Sequence, residues 1–80
     1  MTQLSNVSDS EVYQAVRYYV VEENTNFNNQ GYTCVTLKNV IDMGYLKGNF
    51  DEEFKKKIVK VEKNINTLVI ESIEYDDSCK

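Results

Sequence analysis

Apolar residues recur at Val12, Ala15, Val16, Tyr19 and Val20, the i, i+3, i+4, i+7, i+8 spacing that lays one buried face along a helix. The run opens on Ser8-Asp9-Ser10-Glu11, a capping box in which Ser8 accepts from the N3 amide and Glu11 reaches back to the Ser8 N–H. Val7 and Val12 take the staple positions on either side of that cap. Asp9 and Glu11 place negative charge at the positive end of the helix dipole. The pattern predicts a helix from Asp9 to Glu22, the longest element of the chain, entered from a polar lead-in over residues 1–7. Gln14, Arg17, Tyr18 and Val21 project away from the stripe. Tyr18 and Val21 make that side less polar than a solvated face, so the four residues are a candidate contact strip. The alternative is strand or loop cover, or isolated exposed apolar side chains of the kind every surface carries.

Residues 24–33, Asn-Thr-Asn-Phe-Asn-Asn-Gln-Gly-Tyr-Thr, read as a loop rich in residues that bond to local backbone. Asn24, Asn26 and Asn28 have the alternate spacing of calcium-loop ligands but lack the aspartates, the sixth-position glycine and the closing glutamate. A second helix is predicted over residues 36–43, with Thr36 as N-cap and Val35 stapled to Val40. Its apolar face is Leu37, Val40 and Ile41. Gly44 stands where a left-handed C′ residue is needed, with Tyr45 at C″ packing back on Val40. Lys47-Gly48-Asn49 is a break, after which Asn49 caps a short turn that aligns Phe50, Phe54 and Ile58.

Period-two alternation then takes over. Residues 58–63 place Val59 and Val61 on one side and Lys60 and Glu62 on the other. Asn64-Ile65-Asn66 is a turn with asparagine in left-handed geometry. Residues 67–75 carry the β-formers Leu68, Val69, Ile70, Ile73 and Tyr75. The fold class this predicts is α+β: a long N-terminal helix packed on a small antiparallel sheet, a short second helix and a C-terminal β-hairpin, forming one domain over residues 1–80.

Composition narrows the chemistry. Apolar residues at 41% and charged residues at 28% place the chain among globular proteins. A formal charge of −4 argues against a phosphate-binding surface, so no nucleic-acid partner is expected. The basic run Lys55 to Lys57, with Lys47, Lys60 and Lys63, reads as solvated surface among acidic neighbours. The absence of histidine removes the imidazole base of Ser-His and Cys-His nucleophiles. Gly31, Gly44 and Gly48 do not form a phosphate-cradling loop. Glu71, Glu74, Asp76 and Asp77 are explained as a solubilising strand end rather than an acid–base pair. No enzyme activity, cofactor or metal site is expected.

Cys34 and Cys79 are the two cysteines; with no histidine and no CxxC spacing they make neither a closed zinc site nor a thioredoxin-like pair. Two readings remain, a Cys34–Cys79 disulfide in an oxidising compartment and two free thiols in a reducing one. The bond is favoured because a core of this size leaves a thin margin. Closing a loop of about 45 residues stabilises by roughly 4 kcal/mol in the chain-entropy model. The expected bond ties the last strand to the mouth of the second helix. No apolar run approaches the ~20 residues that span a bilayer, and no signal peptide is apparent.

The segment Ala15-Val16-Arg17-Tyr18-Tyr19-Val20-Val21-Glu22-Glu23-Asn24, the Asn-rich loop, Cys34-Val35-Thr36-Leu37-Lys38-Asn39-Val40-Ile41-Asp42-Met43-Gly44-Tyr45-Leu46 and the penultimate cysteine together resemble the soluble part of type IV pilin-like proteins of Gram-positive bacteria. The resemblance runs from about Glu11 onward. It implies a non-catalytic structural subunit of a type IV pilus or pseudopilus, exported and assembled at the cell surface with like subunits. Gln14, Arg17, Tyr18 and Val21 would then face neighbours. In that family an apolar half-helix precedes the segment and anchors the precursor in the membrane; here neither it nor the leader is found, so membrane contact is expected only through a segment outside this chain. A different class of function also fits the residues: a stand-alone small acidic binding protein, such as a phage-encoded inhibitor, with both thiols reduced in the cytoplasm.

Overall fold

The computed structural model describes residues 4–80; Met1 to Gln3 of the expected lead-in lie outside the described residues. The elements run α1 (Asp9–Glu22), β1 (Tyr32–Thr36), α2 (Leu37–Asp42), α3 (Glu52–Lys55), β2 (Ile58–Lys63) and β3 (Ile70–Tyr75). The strands form one antiparallel sheet in the order β1-β2-β3, and α2 and α3 occupy the connection between the first two. The α+β class is as expected.

Helix α1 starts on one half of the expected capping box: the Ser8 Oγ accepts from the Glu11 N–H at 3.2 Å, while the Glu11 carboxylate accepts from the Ser8 hydroxyl at 3.3 Å where a bond from the Ser8 N–H was expected. Val12, Ala15, Val16 and Val20 are its buried face. The helix has the expected bounds but not the length of a spine. Its 14 residues are ordinary for a globular helix and span only ~21 Å.

The sheet has two unlike faces. Register puts Thr33 and Val35 of β1, Val59 and Val61 of β2, and Ile73 and Tyr75 of β3 on one side. Val35, Val59 and Val61 join Val12, Ala15, Val16, Val20, Leu37 and Val40 in the core. The Tyr13 and Tyr75 rings, 5.5 Å apart, carry that contact from α1 to β3. Tyr32, Cys34, Thr36, Ile58, Lys60, Glu62, Ser72 and Glu74 take the other side.

Strand β1 is a correction to the sequence reading, which divided it between a loop and a helix entry. Tyr-Thr-Cys-Val-Thr is aromatic or β-branched at every position but Cys34, and pairing with β2 uses that preference. Thr36 ends the strand opposite Ile58 and is also the N-cap residue of α2, yet its hydroxyl makes no capping bond. Backbone replaces it: the Leu37 N–H donates to the Lys57 carbonyl at 3.0 Å. The far end of α2 is a Schellman motif as predicted. The Tyr45 N–H donates to Val40 O and the Gly44 N–H to Ile41 O, each at 3.0 Å, and Gly44 sits at φ +87°, where a residue without Cβ is favoured.

One further cap shifts. Asp51, not Asn49, caps α3, its Oδ1 accepting from the Phe54 N–H at 2.8 Å. Asn49 instead ties down the N-terminal segment: the Ser5 N–H donates to its carbonyl at 2.6 Å, and its own N–H donates to the Ser5 Oγ at 2.7 Å. The hairpin turn is longer than predicted. β3 starts at Ile70, so residues 64–69 are loop, and the left-handed residue is Leu68 (φ +63°) rather than an asparagine. The Asn64 side chain extends the turn, its Oδ1 accepting from the Asn66 and Thr67 N–H groups at 2.8 and 3.1 Å.

Candidate functional site

The predicted contact strip lies on the face of α1 turned away from the core. Gln14, Arg17, Tyr18 and Val21 are all exposed, Tyr18 by 53% and Val21 by 60%. Their outward pose follows from the helix period: the core stripe fixes the rotation of α1, and these four positions then fall on the solvent side. The Gln14 Nε2 donates to the Tyr18 hydroxyl at 3.5 Å, a long contact across one turn.

Tyr18 is a ridge between two shallow grooves. The larger, about 490 Å³, runs between α1 and β3 and is lined by Ser10, Tyr13, Gln14, Arg17, Tyr18 and Ile73. The smaller, about 220 Å³, lies toward α2 and has Glu11, Ala15, Tyr45 and Leu46 in its walls. Gln14, Arg17 and Tyr18 are thus brought together at one surface; Val21 shares their helix face but lines neither groove. Beside the smaller groove, the Tyr45 hydroxyl donates to the Glu23 carboxylate at 2.6 Å, and the Tyr19 ring stands edge-on to Tyr45 at 5.7 Å. The hydrogen bond to Glu23, followed by partial desolvation, pushes the Tyr45 phenol up to about 12.

Cys34 and Cys79 are bonded, with Cα atoms 5.8 Å apart. The bond does not meet the mouth of the second helix as expected, because Cys34 is the middle residue of β1. Its side chain points to the outer face, opposite Lys60 in the register. β3 flanks β2 on the far side, so residues 76–80 cross the central strand to reach Cys34. The Asp76 N–H holds the crossing to Ile58 O at 2.9 Å. Asp76 Oδ1 accepts from the Ser78 Oγ at 2.7 Å and from its N–H at 3.0 Å, and these bonds, the hydroxyl's first, hold the Asp76 carboxyl below its ordinary value. The Tyr32 hydroxyl donates to Lys80 O at 3.3 Å. Cys79, within this strap, is buried.

The other chemistry-bearing residues are dispersed. Among the described residues, no group of three or more His, Cys, Asp or Glu side chains is placed to hold a metal ion. Asn28 Oδ1 accepts from the Gln30 and Tyr32 N–H groups, so it shapes the loop before β1. The lysine run splits up: Lys55 pairs with Glu52 at 3.6 Å and Lys57 lies 5.2 Å from the Tyr75 ring. No described helix is long and apolar enough to cross a membrane.

One surface escaped the sequence reading. Ile65, expected in the turn, and Leu68 and Val69, expected in the strand over residues 67–75, are all exposed at the hairpin tip. The available signal was Asn64 with Asn66 and Thr67, a cluster able to keep the chain turning. No family model matches the chain, and neither a curated protein nor a solved structure does.

Proposed function

We propose that this chain is a non-catalytic structural subunit of a type IV pilus or pseudopilus, exported and assembled at the cell surface. The observation that carries the reading is the Gln14–Arg17–Tyr18–Val21 strip: the helix that supplies the core stripe also turns an aromatic and an aliphatic side chain to solvent on its opposite face. In a filament that face meets a neighbouring subunit. The strapped disulfide suits the same setting, since such bonds persist in oxidising compartments. The likeness of residues 15–46 to pilin-like proteins adds a family to that physical reading. One feature modifies the usual picture: Ser8 caps α1 in extended geometry, so an anchoring helix upstream would join α1 through a break instead of running into it.

The test is shear fractionation of the cells that encode the protein, with detection of the native chain. Recovery in the sheared surface fraction, lost on the paired change Tyr18→Asp and Val21→Asp with the fold intact by circular dichroism, supports the reading. Retention in the cytoplasm with both cysteines reduced contradicts it and leaves the acidic binding protein in its place.

A further inference from the structure

At the hairpin tip, Leu68 is 68% exposed and holds φ +63°, a conformation that a residue bearing a Cβ adopts only against steric resistance. Glycine or asparagine would sit there with less strain. The loop is nonetheless tightly held. The Leu68 N–H donates to Asn64 O at 2.7 Å and the Asn64 N–H to Val69 O at 2.9 Å, in addition to the two bonds to the Asn64 side chain. Ile65 is steadied by packing over Gly31, where an added Cβ would lie 2.9 Å from Ile65 Cγ2. The result is an ordered apolar knob with Leu68 and Val69 outward.

The far end of β2 carries a matching hollow. Leu4, Phe50 and Phe54 line a groove of about 290 Å³ whose polar wall is Asp51, Glu53 and Lys57. The Phe50 and Phe54 rings are stacked at 4.8 Å and give it a flat apolar floor. The volume is roughly twice the ~150 Å³ that admits a benzene ring, which is room for the Leu68 side chain and part of a second. Charge agrees as well: the tip has no carboxylate and adjoins Lys63, the last residue of β2, whose ammonium lies 4.5 Å from the Phe27 ring, whereas Asp51 and Glu53 outnumber Lys57 in the groove.

Six residues of β2 separate the knob from the groove by ~20 Å, so a chain cannot fill its own hollow. We infer that the hairpin tip of one copy seats in the Leu4–Phe50–Phe54 groove of a second copy, joining chains head to tail. Knob and groove are different surfaces, so the contact is heterologous and propagates into an open row unless the rotation closes it. A patch this small falls below the ~1,200 Å² of stable interfaces; the contact is weak alone and gains strength where a second surface, such as the α1 strip, acts in parallel. Its role in a filament rests on the reading above, whereas the pairing itself does not.

The experiment is an amide NMR dilution series of the 80-residue chain from ~1 mM down to ~20 μM, the range of weak association. Shifts that move together at residues 64–69 and around Leu4, Phe50 and Phe54 are expected. Leu68→Gly removes the knob while relieving the left-handed backbone, so the protein stays folded and self-association falls by about ten-fold or more. Leu4→Asp, on an exposed groove residue outside the core, has the same effect. Mixing the two variants restores a pair, because the first retains a groove and the second a knob. Absence of concentration dependence, shifts confined to the α1 strip, failure of the mixed variants to pair, or tip-dependent binding to lipid vesicles without self-association would each overturn the inference. Recovery from surface filaments without knob-dependent pairing removes this contact alone; pairing by a chain retained in the cytoplasm removes the filament and keeps the contact.

Discussion

The two faces of the sheet are held by different means. The inner face is a packing problem solved by side-chain shape: Val35, Val59 and Val61 meet the stripe of α1 and the face of α2, and all three are buried. Among the described residues, the outer face has no second layer of secondary structure. It is crossed by a five-residue strap bonded at Cys34 and steadied by Asp76, Tyr32 and Lys60, whose ammonium lies 4.6 Å from the Tyr32 ring. A core this small covers one face with a helix and leaves the other to a covalent tie. Apolar burial supplies the fold's cooperativity; the tie acts largely on the unfolded chain by shortening its reach.

That contrast can be broken from either side. The largest effect is expected from Val61→Asp, which puts a carboxylate into the fully buried centre of the inner face; a loss above ~4 kcal/mol is expected, read as disappearance of near-ultraviolet circular dichroism. Cutting the tie with Cys34→Ser and Cys79→Ser is next. It lowers stability by up to about 4 kcal/mol in denaturant titration, and the inner face keeps its native dichroism in the absence of denaturant. Gly44→Ala is smaller, about 1 kcal/mol, because an added Cβ there meets nothing within 4 Å and only the backbone resists.

The smallest effect is a matter of pH. Folding raises the Tyr45 phenol from its ordinary 10.0 to about 12 through the bond to Glu23. The neutral phenol is therefore the form the fold favours. Its contribution is complete below pH 10 and is lost as pH rises through about 12. Tyr45→Phe should flatten the alkaline arm of the stability profile, measured by thermal melts across that window.

What was legible divides along the same line. Val12, Ala15, Val16 and Val20 announced α1, and Val59 with Val61 announced β2, because burial on one side imprints the period of the backbone on the chain. Gly44 and Tyr45 marked the end of α2 through a conformational need that few residues meet. β1 was hidden because Thr36 serves two elements at once, closing a strand and standing at the cap of a helix. The hairpin was misjudged because Leu68 and Val69 are apolar yet exposed, against the tendency that links such residues to strands. Of the candidate strip, the outward direction of Gln14, Arg17, Tyr18 and Val21 was readable from helical spacing alone. The two grooves beside Tyr18 were not, since Ile73, Tyr45 and Leu46 arrive there by tertiary folding.

The tie across the outer face is the claim on which both the energetics and the proposed export depend. Its most direct test is the intact mass of the chain taken from the cells that make it, quenched with an alkylating reagent before and after reduction. An unmodified chain lighter by two hydrogens, which accepts two alkyl groups only after reduction and denaturation, is the predicted result. Two alkyl groups added without reduction would contradict it.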